Sequence, residues 1–293
     1  VAAASFAAKM IKRSGGFKTT IHNRQMIGQV ALYHVPDIKN AINNIQEKKQ
    51  KLLELANQAH PSIVKRGGGA RHLHAEYLNG EAEFLIVYLT VDTQEAMGAN
   101  ILNTMLEALK SPLEELSGGK SLMAILSNYA TEALVTATCE IDIRFLSRNK
   151  SEAIDIAKKI VLASQFAKQD PYRASTHNKG IFNGIDAVVL ATGNDWRAIE
   201  AGAHTYASRN GSYQGLTTWS IKEATQTLCG EITLPLPIAT KGGSIGLNPT
   251  VEVSFDLLKQ PTAKELASII ASVGLAQNFA ALKALVSTGI QHG

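Results

Sequence analysis

The residues with chemical potential in this chain crowd into one stretch. "DPYRASTHNKGIFNG" carries Arg173, His177, Asn178, Lys179 and Asn183, and the apolar run "IDAVVLATG" leads on to Asn194 and Asp195. This order suggests Lys179 in a polar, glycine-flanked turn, a buried element after it and an acid at its exit. A lysine so placed can act as a point charge on a developing oxyanion, and an aspartate near it keeps it charged and oriented. An arginine in the same stretch suits bidentate recognition of a carboxylate or phosphate. The competing reading is a surface loop with a structural Lys179–Asp195 ion pair.

A second chemistry sits in two glycine-bearing segments. "KRGGGAR" sets Lys65, Arg66 and Arg71 around three glycines, and "EAMGAN" places Gly98 where it opens a helix. A helix N-terminus attracts phosphate, so together the two segments could hold a dinucleotide's phosphates. Alone, the first is a solvated loop and the second a packing glycine; neither is a GxGxxG fingerprint. The histidines show no ligand spacing, so no metal site is expected.

The elements that must position these groups follow from periodicity. "MIGQVALYHV" alternates as a strand, and Asp37 to about Gln58 reads as one long amphipathic helix. Two strands, "HLHAEYL" and "EFLIVYLTV", join across Asn79-Gly80. A helix from "QEAMGAN" and a strand "SLMAILSN" complete a β-α-β-β-α-β order, the ferredoxin-like split unit. The expected fold class is α+β: a large mixed α/β domain (1–25 and 129–293) with an inserted ferredoxin-like (βαββαβ) small domain at 26–128. In the large part, "ALVTATCEIDIRFL" and "EITLPLPIA" read as strands. "SEAIDIAKKIVLASQFAKQ" and "DWRAIEAGAHTYASRNG" read as helices, the latter closed by Gly211, and two more helices run from Thr262 to Ser287.

Composition narrows the classes. The chain has 293 residues, 45% hydrophobic and 18% charged, with net charge +4. The sequence pI is near 8.9. There is no basic block to announce a nucleic acid; a mild positive balance suits an anionic small substrate. Two distant cysteines, Cys139 and Cys229, fit reduced thiols of a cytoplasmic protein. No stretch reads as a membrane span, and the first residues lack a signal-peptide layout. Both ends break off beside helices, as if cut.

Three stretches carry a family resemblance: "EAMGANILNTMLEAL", the segment from Asp170 to Trp219, and "VGLAQNFAALKALVSTGIQHG". They resemble the class II 3-hydroxy-3-methylglutaryl-coenzyme A (HMG-CoA) reductases, over essentially the whole chain. The resemblance implies reduction of HMG-CoA to mevalonate and CoA by two hydride transfers from NAD(P)H. It implies a homodimer or higher even oligomer with active sites at the subunit interface. The inserted domain would bind NAD(P)H and the large domain the acyl-CoA. By the same resemblance Lys179 and Asp195 are catalytic. Arg173, Asn183, Gln277 and Asn278 bind substrate, and Glu95, Met97, Gly98, Asn100 and Asn128 bind cofactor; Lys65 and Arg66, read from their basic loop, would face the cofactor's phosphate. NADPH is expected over NADH. Family members preferring NADH carry an aspartate after the long helix, where this chain has His60, with no acid between Ala56 and Arg71.

The chain departs from the family pattern in four places. The catalytic glutamate would precede Val1, and the catalytic histidine would follow Gly293; His292 fills a variable position instead. Glu95 replaces an aspartate, and "KGGSIGLNP" replaces a "VGGATK"-like loop. The alternatives are an inert fragment, a CoA- or nucleotide-binding homologue, or another two-domain nicotinamide oxidoreductase.

Overall fold

The computed structural model describes residues 1–243 and 245–287. The chain divides into two compact units, Val1–His22 with Leu134–Gly293, and Asn23–Ala133. The smaller unit thus begins a few residues before the expected 26 and ends a few after 128.

The larger unit opens with α1 (Ala2–Arg13) and β1 (Phe17–Ile21). The smaller unit comprises β2 (Met26–Tyr33), α2 (Ile38–Glu47), α3 (Lys49–Ala59), α4 (Pro61–Lys65), β3 (Gly69–Asn79), β4 (Glu83–Asp92), α5 (Ala99–Ser117) and β5 (Lys120–Ser127). Its sheet has the order β3-β4-β2-β5, antiparallel throughout. That is the ferredoxin-like arrangement. Val30, Leu32, Leu85, Val87, Leu89 and Val91 point to one face and pack with Leu102, Met105, Leu106 and Leu109 of α5. Gly28 lets α5 approach closely, because a Cβ there would lie 2.4 Å from Leu106.

The single long helix expected over 37–58 is two helices. Asp37 caps the first by accepting from the Asn40 amide, and the chain turns at Lys48 (φ −94°, ψ 7°). "HPSIVKRGGGAR" is less of a loop than expected. Pro61, fit for a first helical position, starts α4, and Gly69 already belongs to β3. α5 begins at Ala99, so "EAMG" is the loop ahead of the helix.

The larger unit continues with β6 (Leu134–Asp142), α6 (Lys150–Gln169), α7 (Pro171–Ala191), α8 (Trp196–Ala207), β7 (Thr217–Lys222), β8 (Thr227–Pro235), α9 (Pro249–Leu257) and α10 (Ala263–Val286). Its antiparallel sheet runs β1-β6-β8-β7. Along β6, Val135, Ala137, Cys139 and Ile141 enter the core while Thr136, Thr138 and Glu140 alternate to the other face. β1, β7 and α9 were not expected from the pattern. The helix expected to close at Gly211 ends at Ala207. The two helices expected over 262–287 are one, started by a reciprocal capping box between Thr262 and Glu265.

α10 corrects another expectation: it is long and apolar enough to cross a membrane, by length and composition. Here Leu266, Ile270, Leu275, Phe279 and Leu282 are buried in the core of the larger unit, against helices and sheet.

Candidate active site

The stretch from Asp170 to Asp195 folds differently from the expected turn. Asp170 caps α7 through the Arg173 amide, Pro171 fills its first position, and the helix runs unbroken through Gly180 and Gly184 to Ala191. Lys179 therefore sits mid-helix, on the exposed side. Packing overrides the glycine cost, roughly 1 kcal/mol each. Ile181, Phe182, Ile185 and Val189 are fully buried. Gly184 admits the stem of Gln277, and Gly274 of α10 admits Ile185.

The inner face of α7 is held by a buried polar network. Asn278 accepts from the Trp219 indole at 2.8 Å and the Thr217 hydroxyl at 2.9 Å. Its amide lies 3.2 Å from Nε2 of His177, which also lies 2.6 Å from the Thr217 hydroxyl. The indole can only donate, so Oδ1 of Asn278 faces it and Nδ2 lies toward His177. Nδ1 of His177 is buried without a partner among the described residues. Burial, then the charges of Arg173 and Lys168, pushes its pKa down to about 3. Asn178 donates to the Gln214 carbonyl and accepts from the Leu216 amide. Asn278, expected on the substrate, is thus committed to the interior, as are His177 and Asn178.

The outer face is different. Arg173, Lys179, Asn183 and Gln277 are half-buried or exposed, and none has a side-chain hydrogen bond or ion pair among the described residues. The structure brings Arg173, Asn183 and Gln277 to one region. Arg173, Gly180 and Ala187 recur at seven-residue spacing with Asn183 beside them, and Gln277 abuts Gly184.

Asp195 is elsewhere. It caps α8, accepting from the Arg197 and Ala198 amides, and lies 3.8 Å from the Arg197 guanidinium. α7 and α8 run antiparallel: Phe182 meets His204 (ring centroids 5.2 Å), and the Asp186 carboxyl shares a hydrogen bond with Glu200. From Lys179 to Ala191, beside Asp195, the helix advances roughly 18 Å. A lysine side chain reaches on the order of 6 Å. The expected Lys179–Asp195 pair does not form within one chain.

In the smaller unit the register gathers the expected cofactor residues. Gly69 pairs with Asp92, Met26 with Val91 and Ile27 with Ser127. The 66–69 loop, the 93–98 loop and Asn128 therefore emerge at one end of the sheet. A Cβ on Gly68 would lie 2.5 Å from the Asp92 carbonyl and 3.1 Å from Gln94, so the first two loops are neighbours. Gly98, at φ +92°, is the N-cap of α5 and has no side chain to offer its first amides. Its approach to Thr93 is so close that a Cβ would sit 2.1 Å from a Thr93 methyl. Thr93 donates to the Ala96 carbonyl, and Arg24 donates to the same carbonyl. Glu95 and Met97 lie in this loop, and Asn100 follows in the first turn of α5.

Arg71 pairs with Asp92 at 3.3 Å, an acid that a window ending at Arg71 misses. Lys65 and Arg66 stay exposed and make no side-chain hydrogen bond or ion pair among the described residues.

Sequence reasoning missed one further set. A cavity of about 420 Å³ in the larger unit is lined by Lys9, Arg13, Arg144, Arg148 and Lys283, around Phe6, Met10 and Phe145. Arg144 is held by Asp142 at 2.6 Å. The five cations come from three separated segments, so no single run announces them. Among the described residues no His/Cys/Asp/Glu group has the makings of a metal site. His292 and the final "GIQHG" lie outside the described residues.

The chain thus has two antiparallel α+β units, one with a bare helix N-terminus and a basic loop, the other with a cationic helix face uncommitted among the described residues. The family model that matches is that of hydroxymethylglutaryl-coenzyme A reductase, over residues 1–293. The chain belongs to that family. It is 42% identical over 294 residues to the 3-hydroxy-3-methylglutaryl-coenzyme A reductase of Archaeoglobus fulgidus, and 35% over 295 residues to a probable one of Borreliella burgdorferi. Each match covers all of this chain and 66% of the relative. The chain thus spans about two thirds of the length of these curated relatives. A class II reductase structure from Streptococcus pneumoniae, bound to NADPH in open conformations, superposes with TM-score 0.97 at 69% identity, covering 98% of this chain and 78% of that one. Another from the same organism gives 0.98 at 70%, covering 100% and 69%.

Proposed function

We propose that this chain forms the NADPH- and acyl-CoA-binding body of a cytoplasmic HMG-CoA reductase that makes mevalonate and free CoA. The observation that carries the reading is the uncommitted polar set Arg173, Lys179, Asn183 and Gln277 on the α7–α10 face, in a chain of this family. NADPH supplies a hydride in each of two steps: thioester to hemithioacetal, then, after CoA thiol leaves, aldehyde to alcohol. Each step builds charge on the former carbonyl oxygen. The Lys179 ammonium stabilises that charge and supplies a nearby proton. Arg173 pairs with the distal carboxylate and Asn183 orients the acyl chain.

The basic cavity of Lys9, Arg13, Arg144, Arg148 and Lys283 suits the phosphates of CoA. In the other unit, the open N-terminus of α5 suits a pyrophosphate. Exposed Lys65 and Arg66 suit the 2′-phosphate that distinguishes NADPH. Because Lys179 and Asp195 cannot meet in one chain, we read the pair as formed between two copies, which makes the oligomer part of the site. Lys179→Ala in the full-length enzyme is expected to lower kcat by about 10²–10³ with KM little changed. Near-normal turnover with raised KM would assign Lys179 to binding and overturn the catalytic role.

A further inference from the structure

Among the described residues nothing requires a glycine at position 180. It lies inside α7 with ordinary helical φ, so no left-handed conformation demands it. A Cβ built on it meets nothing within 4 Å, whereas one on Gly184 would meet Gln277 at 3.1 Å and one on Gly274 would meet Ile185 at 2.9 Å. The latter two are explained by the contact of α7 with α10. Gly180 costs the helix stability and returns no packing among the described residues.

What surrounds it points outward. Arg173 lies two turns before it on the same face, Asn183 nearly one turn after it, and Lys179 on its shoulder. Gln277 reaches α7 at Gly184, one turn on. None of these four polar side chains has a hydrogen-bond or ion-pair partner among the described residues. A bare patch of helix backbone ringed by unspent donors is the form of a seat for a small, oxygen-rich group lying flat on the helix.

We propose that Gly180 is the floor of the acyl subsite. Its missing side chain leaves room for the branched 3-hydroxy-3-methyl centre of the substrate against α7, and it makes Gly180 the residue that sets which acyl group fits. This rests on the reading of α7 as the substrate helix. An added methyl here strikes the acyl group while improving the helix, so stability and function move in opposite directions. That pairing separates a ligand seat from an ordinary packing position, where both fall together.

The test uses the full-length enzyme. Gly180→Ala is expected to raise Tm by about 1–3 °C. KM for HMG-CoA should rise about tenfold or more, and the inhibition constant of free 3-hydroxy-3-methylglutarate should rise in parallel. KM for NADPH and the inhibition constant of free CoA should stay unchanged. Three outcomes would overturn the assignment: an unchanged KM for HMG-CoA; a lowered Tm, which would mean this chain itself fills the space; or a weakened dimer in sedimentation with normal inhibition by the free acid, which would give the seat to a second copy. Lys179→Ala run alongside separates the two ideas. If it abolishes turnover while Gly180→Ala leaves KM unchanged, only the floor assignment falls; if Lys179→Ala is active, the reading of the helix falls with it.

Discussion

Asp186 and Glu200 place two carboxyls in contact between α7 and α8, with Oδ1 of Asp186 buried and unpartnered. Burial first, then the like charge of Glu200 and their hydrogen bond, pushes Asp186 up to about 7. An acid whose folded pKa exceeds its unfolded value, about 3.9, contributes stability that is present below that value and lost as pH rises through 7. His177 works oppositely. Held neutral with a pKa near 3 against an unfolded value of about 6.5, it removes stability as pH falls below 6.5. Between about pH 4 and 6.5 the two slopes offset each other. Asp186→Asn removes one of them, so the variant's Tm is expected to climb more steeply with pH over that window than the wild type's. The gap between the two, followed by calorimetry from pH 4 to 8, should shift in favour of the variant and level off above 7. Parallel curves would show that Asp186 is ionised in the folded protein.

At the scale of elements, Gly98 sets the start of α5. Its φ of +92° and its approach to Thr93 leave no space for a methyl, and it sets the direction in which α5 presents its first amides. Gly98→Ala is expected to cost about 1–3 kcal/mol of stability and to weaken NADPH binding at least tenfold. Both are measurable by thermal melts and titration calorimetry. Unchanged NADPH affinity in the folded variant would remove the 93–98 loop from the cofactor site.

The same elements explain what the sequence revealed and what it hid. The order of the smaller unit was legible because its strands alternate cleanly and Asn79-Gly80 marks the hairpin. α7 was not. Gly180 and Gly184 beside Thr176, His177 and Asn178 resemble a turn, and only contact with α10 keeps them helical. α10 was split for a similar reason: Gly274 weakens local propensity but serves the contact with Ile185. β7, six residues long, pairs among the described residues only with the adjoining β8, and the bond that anchors it, from Trp219 to Asn278, lies far away in sequence. Periodicity cannot report such distant partners. The residues of the candidate site were named from local pattern and family resemblance. Their sorting into an interior set (His177, Asn178, Asn278) and an outward set (Arg173, Lys179, Asn183, Gln277) needed the helix's orientation against α10 and β7.

For the whole molecule, the separation of Lys179 from Asp195 has the widest consequence. The antiparallel α7–α8 pair puts them at opposite ends of a helix length of roughly 18 Å. A symmetric dimer would resolve this, because a contact from Lys179 of one subunit to Asp195 of the other would occur twice about the two-fold axis. Each site would then draw its lysine and its aspartate from different subunits. Full-length Lys179→Ala and Asp195→Asn enzymes, each inactive alone, should complement when mixed and allowed to exchange subunits. Asn is chosen because it caps a helix as well as Asp does, so α8 keeps its start and only the charge is lost. In the mixed dimer one site carries both changes and the other carries neither. Random pairing at equal amounts makes half the dimers mixed, each with one of two sites intact, so activity should recover to about a quarter of the wild-type value. If the pair acted within one chain, no mixed dimer would hold an intact site, and recovery would be absent even after exchange was confirmed by mass spectrometry. That result would require α7 and α8 to open in the working enzyme until Lys179 reached its own Asp195.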